Sequence, residues 1–447
     1  MTTTHSESAR QWVHIGSGCF ALLLRYLTWW QAATAAVLAI FFNAVVLPRV
    51  GGQRLYRPED RARGLPLGIL LYPLAVLGLI LVFPTRLDIV GAAWAILAVG
   101  DGAATLVGRR ADSRGRAARL PWNRDKTIAG TTAFMVCGAA AGVLLARWTR
   151  LPEPLSTFTV IAPILAAVAA GFVETLPVRL DDNISVPVVA GAVLWLGSLS
   201  SRAALQTSEG ALVAAAPWAI GVNAVVSWLG YRARTVTVSG MIGGAAVGVV
   251  VYACAGRAAW VFLFATFLVA ALSSRLGLKR KTRLGIQEEQ GGRRGAGNAF
   301  ANCGVAAAAA IAAVCTPYRA ESLMAFVAAL TAGGSDTVAS EIGKAWGRAA
   351  FLTTSFRRVK PGTAGAMSLE GTAAGLVAAL GLAALGAALG LVPSTASVTI
   401  ALAATAGALV ESALGAALEG PGILNNDMLN FINTAVAAML VVAFLVV

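Results

Sequence analysis

Apolar runs of about 17–25 residues follow one another along almost the whole chain, the length a helix needs to cross a hydrocarbon layer. Within lipid, every backbone N–H and C=O must find a partner inside the protein, which leaves helices and closed barrels. The runs are continuous and do not alternate, which argues against a barrel. Charge is correspondingly scarce, at 13% of 447 residues, about half the share of a soluble domain. The sequence therefore predicts an all-α polytopic membrane protein. About 15 spans are expected, near 12–27, 31–48, 66–83, 88–108, 127–147, 158–175, 184–202, 211–230, 239–255, 258–275, 297–315, 320–346, 367–391, 395–417 and 428–447. The span 320–346 is long enough to break near Gly333-Gly334. The polar opening "MTTTHSESAR" predicts no cleaved leader.

The formal charge of +14 would suggest nucleic acid in a soluble protein. Here Lys and Arg cluster in loops at 49–63, 109–126, 275–294 and 344–360, with an even number of expected spans between successive clusters. All four then share one side, which the positive-inside rule makes cytoplasmic, and the N-terminus lies on that side. Nucleic acid is not an expected partner. The five cysteines are scattered through apolar segments without metal or disulfide spacing, and two histidines cannot build a multi-histidine site.

Two polar stretches repeat one layout. "DGAATLVGR" (Asp101–Arg109) and "DTVASEIGK" (Asp336–Lys344) each read Asp, three residues, a hydroxyl residue, two residues, Gly and a base. Further matches follow in the same order. "KTIAGT" (Lys126–Thr131) answers to "SLEGTAAG" (Ser368–Gly375), Glu174 to Glu411, and "DDNISVP" (Asp181–Pro187) to "NNDMLN" (Asn425–Asn430). The offset is roughly 235–245 residues, and each element recurs an even number of spans later, which predicts a parallel duplication. The expected halves are 1–205 and 206–447.

On a helix, Asp101, Thr105 and Gly108 share one stripe with Arg109 near it, as do Asp336, Ser340, Gly343 and Lys344. A carboxylate within a span is costly and usually faces a polar cavity. Carboxylate with hydroxyl suits Mg²⁺, and a base one turn on suits phosphate oxygens. The glycines would let a nucleotide or a second backbone come close. Lys126 and Thr127 at a helix start, with Gly130 and Thr131, fit an anion site. So do Arg358, Lys360, Gly362, Thr363, Ser368, Gly371 and Thr372. Glu174 and Glu411, with Asp182-Asn183 and Asn426-Asp427, could hold metal or orient an attacking hydroxyl. Asn and Asp also form ordinary turns. The glycine ridge at Gly240, Gly244 and Gly248 reads as helix packing, and His14 as structural.

The first half resembles the phytol kinase and dolichol kinase family of polyprenol kinases. The resemblance rests on "VHIGSG" (Val13–Gly18), "GDGAATLVGRR" (Gly100–Arg110), "PWNRDKTIAGT" (Pro121–Thr131) and "FVETLPVRLDDNISVP" (Phe172–Pro187). The second half is similar to the phytyl-phosphate kinase family through "GNAFANCG" (Gly297–Gly304), "GGSDTVASEIGK" (Gly333–Lys344), "KPGTAGAMSLEGT" (Lys360–Thr372) and "NNDMLN". Glu411 stands where that family has Asp, and Asn298 where it has Gln. Together the resemblances imply a prenol kinase joined to a prenyl-phosphate kinase, working with CTP or ATP on a membrane-dissolved alcohol and its phosphate. They imply Asp101, Asp182, Asp336, Glu341 and Asp427 as Mg²⁺ ligands, Asn302 among the nucleotide-binding residues, and an inner-membrane protein working on the cytoplasmic side. The rival readings are a membrane cytidylyltransferase, which would leave CMP on the lipid, and a transporter with parallel repeats.

Overall fold

The computed structural model describes residues 7–50, 67–113, 115, 117–121, 123–150, 157–175, 181–285, 293–420 and 424–446. Most of the first basic loop (49–63) and part of the third (275–294) lie outside these. The chain is overwhelmingly helical and divides into two compact units, Met1–Leu199 and Ser200–Val447. The expected division after residue 205 falls inside the helix Arg202–Arg232, so that helix opens the second unit whole. Among the described residues, ten helices are long and apolar enough to cross a membrane, with three shorter apolar helices at Gly68–Val82, Phe158–Glu174 and Asp182–Ser198.

Part of the difference from fifteen spans has a local cause. The expected spans 239–255 and 258–275 are two segments of the single element Val238–Arg275, parted at Gly256, whose φ of 88° is open to glycine at little cost. The expected span 12–27 is instead a short helix, Glu7–Gly18, running into a 3₁₀ stretch, Cys19–Arg25.

In the first unit, α1 is Glu7–Gly18, α2 Trp29–Phe41 and α3 Leu67–Val82. Next, α4 (Leu87–Ala95) passes through a π-helical turn (Ile96–Asp101) into α5 (Gly102–Ser113). α6 (Ile128–Arg150), α7 (Thr157–Glu174) and α8 (Asp182–Ser198) complete it. The α4–α5 element is central: Ile89, Val90, Ile96, Leu97 and Ala98 are wholly buried. Two carboxylates mark its length. Asp88 near its start is buried and held by Arg86 (Nη2–Oδ2 2.9 Å) and Arg150 (Nε–Oδ2 3.6 Å). Asp101 follows about 20 Å further along at 1.5 Å per residue.

The second unit comprises α9 (Arg202–Arg232), α10 (Val238–Arg275), α11 (Leu278–Leu284), α12 (Ala296–Cys315) and α13 (Arg319–Trp346). After a small sheet come α14 (Leu369–Ala388), α15 (Ser397–Leu414) and α16 (Asn426–Val446). α13 is its central helix, buried without interruption from Phe326 to Ser335. It does not break at Gly333-Gly334. A Cβ on Gly334 would come within 2.7 Å of Thr266 and 2.8 Å of Leu382, so the small residue serves close packing rather than a bend.

The all-α expectation misses one feature, a three-stranded antiparallel sheet. β1 (Ala350–Leu352) lies between β2 (Arg358–Val359) and β3 (Ala366–Ser368). Its register pairs Ala350 with both Val359 and Ser368. Strands this short show no readable alternation. The sheet delivers the chain from the end of α13 to Ser368, whose side chain accepts the Gly371 N–H (3.1 Å) and caps α14.

Candidate active sites

In the first unit, the carboxylates of Asp101, Glu174 and Asp182 bring one oxygen each within 4.8 Å of one another. Asp101 closes the π-turn, an irregularity that often marks functional positions. Glu174 ends α7 and Asp182 begins α8. Lys126 is carried in on a hairpin closed by Leu120 N–H to Lys126 O (3.1 Å) and Ile128 N–H to Ala118 O (2.9 Å). Its ammonium contacts Glu174 Oε1 and lies 3.2 Å from Asp182 Oδ2. Burial alone would lower its pKa, but Asp182 and Glu174 outweigh burial and raise it. Lys126 is therefore the carboxylates' counter-ion, which its motif alone did not reveal. His14 Nε2 stands 3.7 Å from Asp101 Oδ2, and Gln11 Nε2 donates to Thr105 Oγ1 at 3.4 Å. Both are site neighbours: the sequence reading takes His14 as structural and does not single out Gln11.

An oxygen-only donor set is what a hard cation such as Mg²⁺ takes, and Glu174 Oε2 is buried without a hydrogen-bond partner among the described residues. These residues fit the ion. Arg109 is exposed. Asn183 is buried and fastened to Asp181 Oδ1 (Nδ2–Oδ1 2.7 Å), which makes it part of the α8 cap.

In the second unit a cavity of about 280 Å³ gathers residues from five segments. Asp336, Ser340 and Lys344 come from α13, Gly362 and Thr363 from the turn after β2, and Ser368, Gly371 and Thr372 from the sheet and the start of α14. Glu411 comes from α15 and Asn426 from the start of α16. Glu411 Oε2 is buried and makes no hydrogen bond of normal geometry among the described residues. It lines the cavity together with Asp336, so two carboxylates there offer oxygen donors to a cation. Gly365, which the residue reading passed over, also lines the cavity. Its φ is 67° and a Cβ there would lie 2.2 Å from Ala416 N. Ser412 Oγ donates to Gly365 O (2.8 Å) and fixes the turn against α15.

Five expected members stand elsewhere. Glu341 is five residues after Asp336, about 140° around the helix. It is buried in an ion pair with Lys281, also buried, and Lys344 Nζ lies 3.5 Å from its other oxygen. Asp427 packs against Gly297, where a Cβ would meet its Oδ2 at 2.4 Å. Asn302 packs against Gly333 and lines a different cavity. Arg358 and Lys360 are exposed on β2 and the turn that follows, outside the cavity lining.

One crossing recurs in both units. In the first, a Cβ on Gly130 would meet Ala104 O at 2.9 Å, Thr127 Oγ1 at 2.9 Å and Gly108 Cα at 3.5 Å. In the second, one on Gly371 would meet Ala339 O at 2.5 Å, Ser368 Oγ at 3.0 Å and Gly343 Cα at 3.2 Å. Thr127 Oγ1 accepts the Gly130 N–H (3.0 Å) as Ser368 Oγ accepts that of Gly371. Each time a helix carrying an Asp crosses a capped helix start at a pair of glycines. Their neighbour is therefore a second backbone. Thr131 Oγ1, one residue beyond the first crossing, is buried without a hydrogen-bond partner among the described residues.

A helical bundle of this length and apolarity, with acidic clusters inside it, defines a polytopic membrane protein. The chain belongs to the family of integral membrane proteins designated DUF92, which it matches over residues 221–438. It is 37% identical to the uncharacterized membrane protein sll0875 of Synechocystis over 44% of this chain and 77% of that one. It is 33% identical to the Arabidopsis thaliana chloroplastic protein VTE6, over 46% of this chain and 63% of the relative. A probable chloroplastic phytol kinase of Glycine max is 32% identical, over 43% and 66%. The chain thus spans less than two thirds of the last two. No solved structure matches it at a significant level.

Proposed function

We propose that the chain is a bifunctional isoprenoid kinase. The first unit would phosphorylate a membrane-dissolved prenyl alcohol of the phytol, geranylgeraniol or farnesol type, and the second would phosphorylate the resulting monophosphate. Relatives named phytol kinase support a kinase of prenyl substrates. The observation that carries the reading is the convergence of carboxylate, hydroxyl, ammonium and helix-start groups from five segments on one cavity of about 280 Å³. The recurrence of the glycine crossing beside Asp101 and Asp336 supports two related sites arising by duplication.

In each step the acceptor oxygen forms a bond to the terminal phosphorus of CTP or ATP while the bond to the nucleoside diphosphate breaks, and in the first step the alcohol's proton is released to water. Such transfers depend on positioning and charge neutralisation. Mg²⁺, held by Asp101, Glu174 and Asp182 in one unit and by Asp336 and Glu411 in the other, would supply much of that neutralisation. In the second unit Lys344 would hold phosphate oxygens, and the turn at Gly362–Thr363 with the α14 start would bind them through N–H and O–H donors. In the first, Lys126 would hold the carboxylates at their spacing. We place both sites at the cytoplasmic face of the inner membrane, where a nucleotide meets a lipid headgroup.

Purified protein in lipid nanodiscs, given radiolabelled geranylgeraniol, Mg²⁺ and CTP or ATP, tests this. Prenyl mono- and diphosphate with one nucleoside diphosphate per phosphate transferred is the expected result. Pyrophosphate release with CMP retained on the lipid would replace the kinase by a cytidylyltransferase, and absence of any prenyl phosphate would refute it.

A further inference from the structure

The second unit holds another cavity, of about 150 Å³, on the Gly333 side of α13, whereas Asp336 lines the catalytic one. Its lining is mostly apolar and includes Phe264 and Phe267 of α10 and Gly244 of the same element's earlier segment. Toward one end stand Arg294, Asn298 and Asn302. At the Gly248 level, where an added Cβ would meet Asn223 Oδ1, the lining includes Trp260, whose Nε1 donates to that oxygen (3.0 Å). Between the Gly240 and Gly248 levels the cavity runs about 12 Å along α10.

Its polar end is under-used. Arg294 has five donors, and they reach only neutral acceptors at long range: Asn298 Oδ1 at 3.3 Å, and Ala270 O and Ser274 Oγ at 3.5 Å. Among the described residues no carboxylate pairs with it. Asn302 Oδ1 is buried without a hydrogen-bond partner among the described residues. A half-buried guanidinium with no carboxylate partner among the described residues, at the end of an apolar slot, matches an anionic head on an apolar tail. The slot is smaller than the roughly 300–1,000 Å³ of a pocket that engulfs a drug-sized ligand. It suits the start of one chain, with the remainder left in the bilayer.

We infer that this cavity is a docking site for an isoprenyl monophosphate, its phosphate on Arg294 and its first isoprene units between Gly244 and the two phenylalanines. The identity of the occupant rests on the kinase reading; the anionic, single-chain chemistry rests on the cavity itself. The site would hold the intermediate against the helix that carries Asp336.

The test uses the full chain in nanodiscs with a diazirine-bearing geranylgeranyl monophosphate as photoprobe, the adducts mapped by mass spectrometry. Labelling is expected in 238–275 and 296–315. Unlabelled geranylgeranyl monophosphate should compete at least tenfold better than phosphatidylglycerol or geranylgeraniol. Gly244→Leu adds bulk to the slot lining at a position where an added Cβ meets nothing within 4 Å. It should cut labelling at least fivefold at unchanged melting temperature, as should Arg294→Gln, while Asp336→Asn should label as wild type. Equal competition by phosphatidylglycerol, adducts elsewhere, or wild-type labelling of Gly244→Leu would each overturn the site. Labelling here without phosphoryl transfer would sink the kinase reading and leave the site standing. Transfer with unaltered labelling in both variants would do the reverse.

Discussion

Replacing Gly371 by alanine tests whether the glycine crossing holds the second site together. An added Cβ would sit 2.5 Å from Ala339 O and 3.2 Å from Gly343 Cα. Both are backbone atoms, so no side chain can swing aside. Restoring ordinary contact requires α13 and α14 to part by roughly 1 Å, and overpacking of this kind costs about 1–3 kcal/mol. Gly381, ten residues on in the same helix, meets nothing within 4 Å. Gly381→Ala should therefore be neutral, or stabilising by up to about 1 kcal/mol through helix propensity. Thermal unfolding in nanodiscs reads the contrast, at about 2–4 °C per kcal/mol for a unit of this size. Conversion of prenyl monophosphate should fall in Gly371→Ala alone, because the Ser368 cap and Lys344 flank the crossing. Equal melting temperatures for the two variants would refute the reasoning.

Two further outcomes follow from buried charge. Glu341→Gln leaves Lys281 uncompensated in a buried setting and should destabilise by about 3–5 kcal/mol. The pair Lys281→Met with Glu341→Leu should recover most of that loss in chemical unfolding; a double variant as unstable as the single would show the pair is not the cause. Lys126 has a raised folded pKa. Its stabilising contribution is thus fully present below the unfolded value of about 10.4 and is lost only as pH climbs through the higher folded value. The stability gap between wild type and Lys126→Met should stay flat from pH 7 to 9 and close only above about pH 10.5; a gap that closes near pH 8 would contradict this.

Much of this was legible in the chain because helices convert spacing into direction. Asp336, Ser340, Gly343 and Lys344 lie within one stripe by counting residues, and the cavity lining contains all four. The same arithmetic argues against Glu341, whose partner Lys281 lies 60 positions upstream and could not be found by spacing. Lys126 looked like a phosphate ligand because a base at a helix start resembles one. Its carboxylate partners on α7 and α8 meet it only through tertiary packing. The π-turn at Asp101 and the three short strands left no periodic trace, since each is shorter than the window in which a period can be read. Asn302 and Asp427 belong to the quoted motifs but lie outside the lining of the Asp336 cavity.

The account rests on two separate phosphoryl-transfer sites, and paired substitutions test it most directly. Wild type, Asp101→Asn and Asp336→Asn are each given labelled geranylgeraniol and, separately, its monophosphate, with Mg²⁺ and nucleotide. Asp101→Asn should form no monophosphate yet convert added monophosphate to diphosphate, and Asp336→Asn should accumulate monophosphate. Identical behaviour of the two variants, or full activity in both, would contradict it.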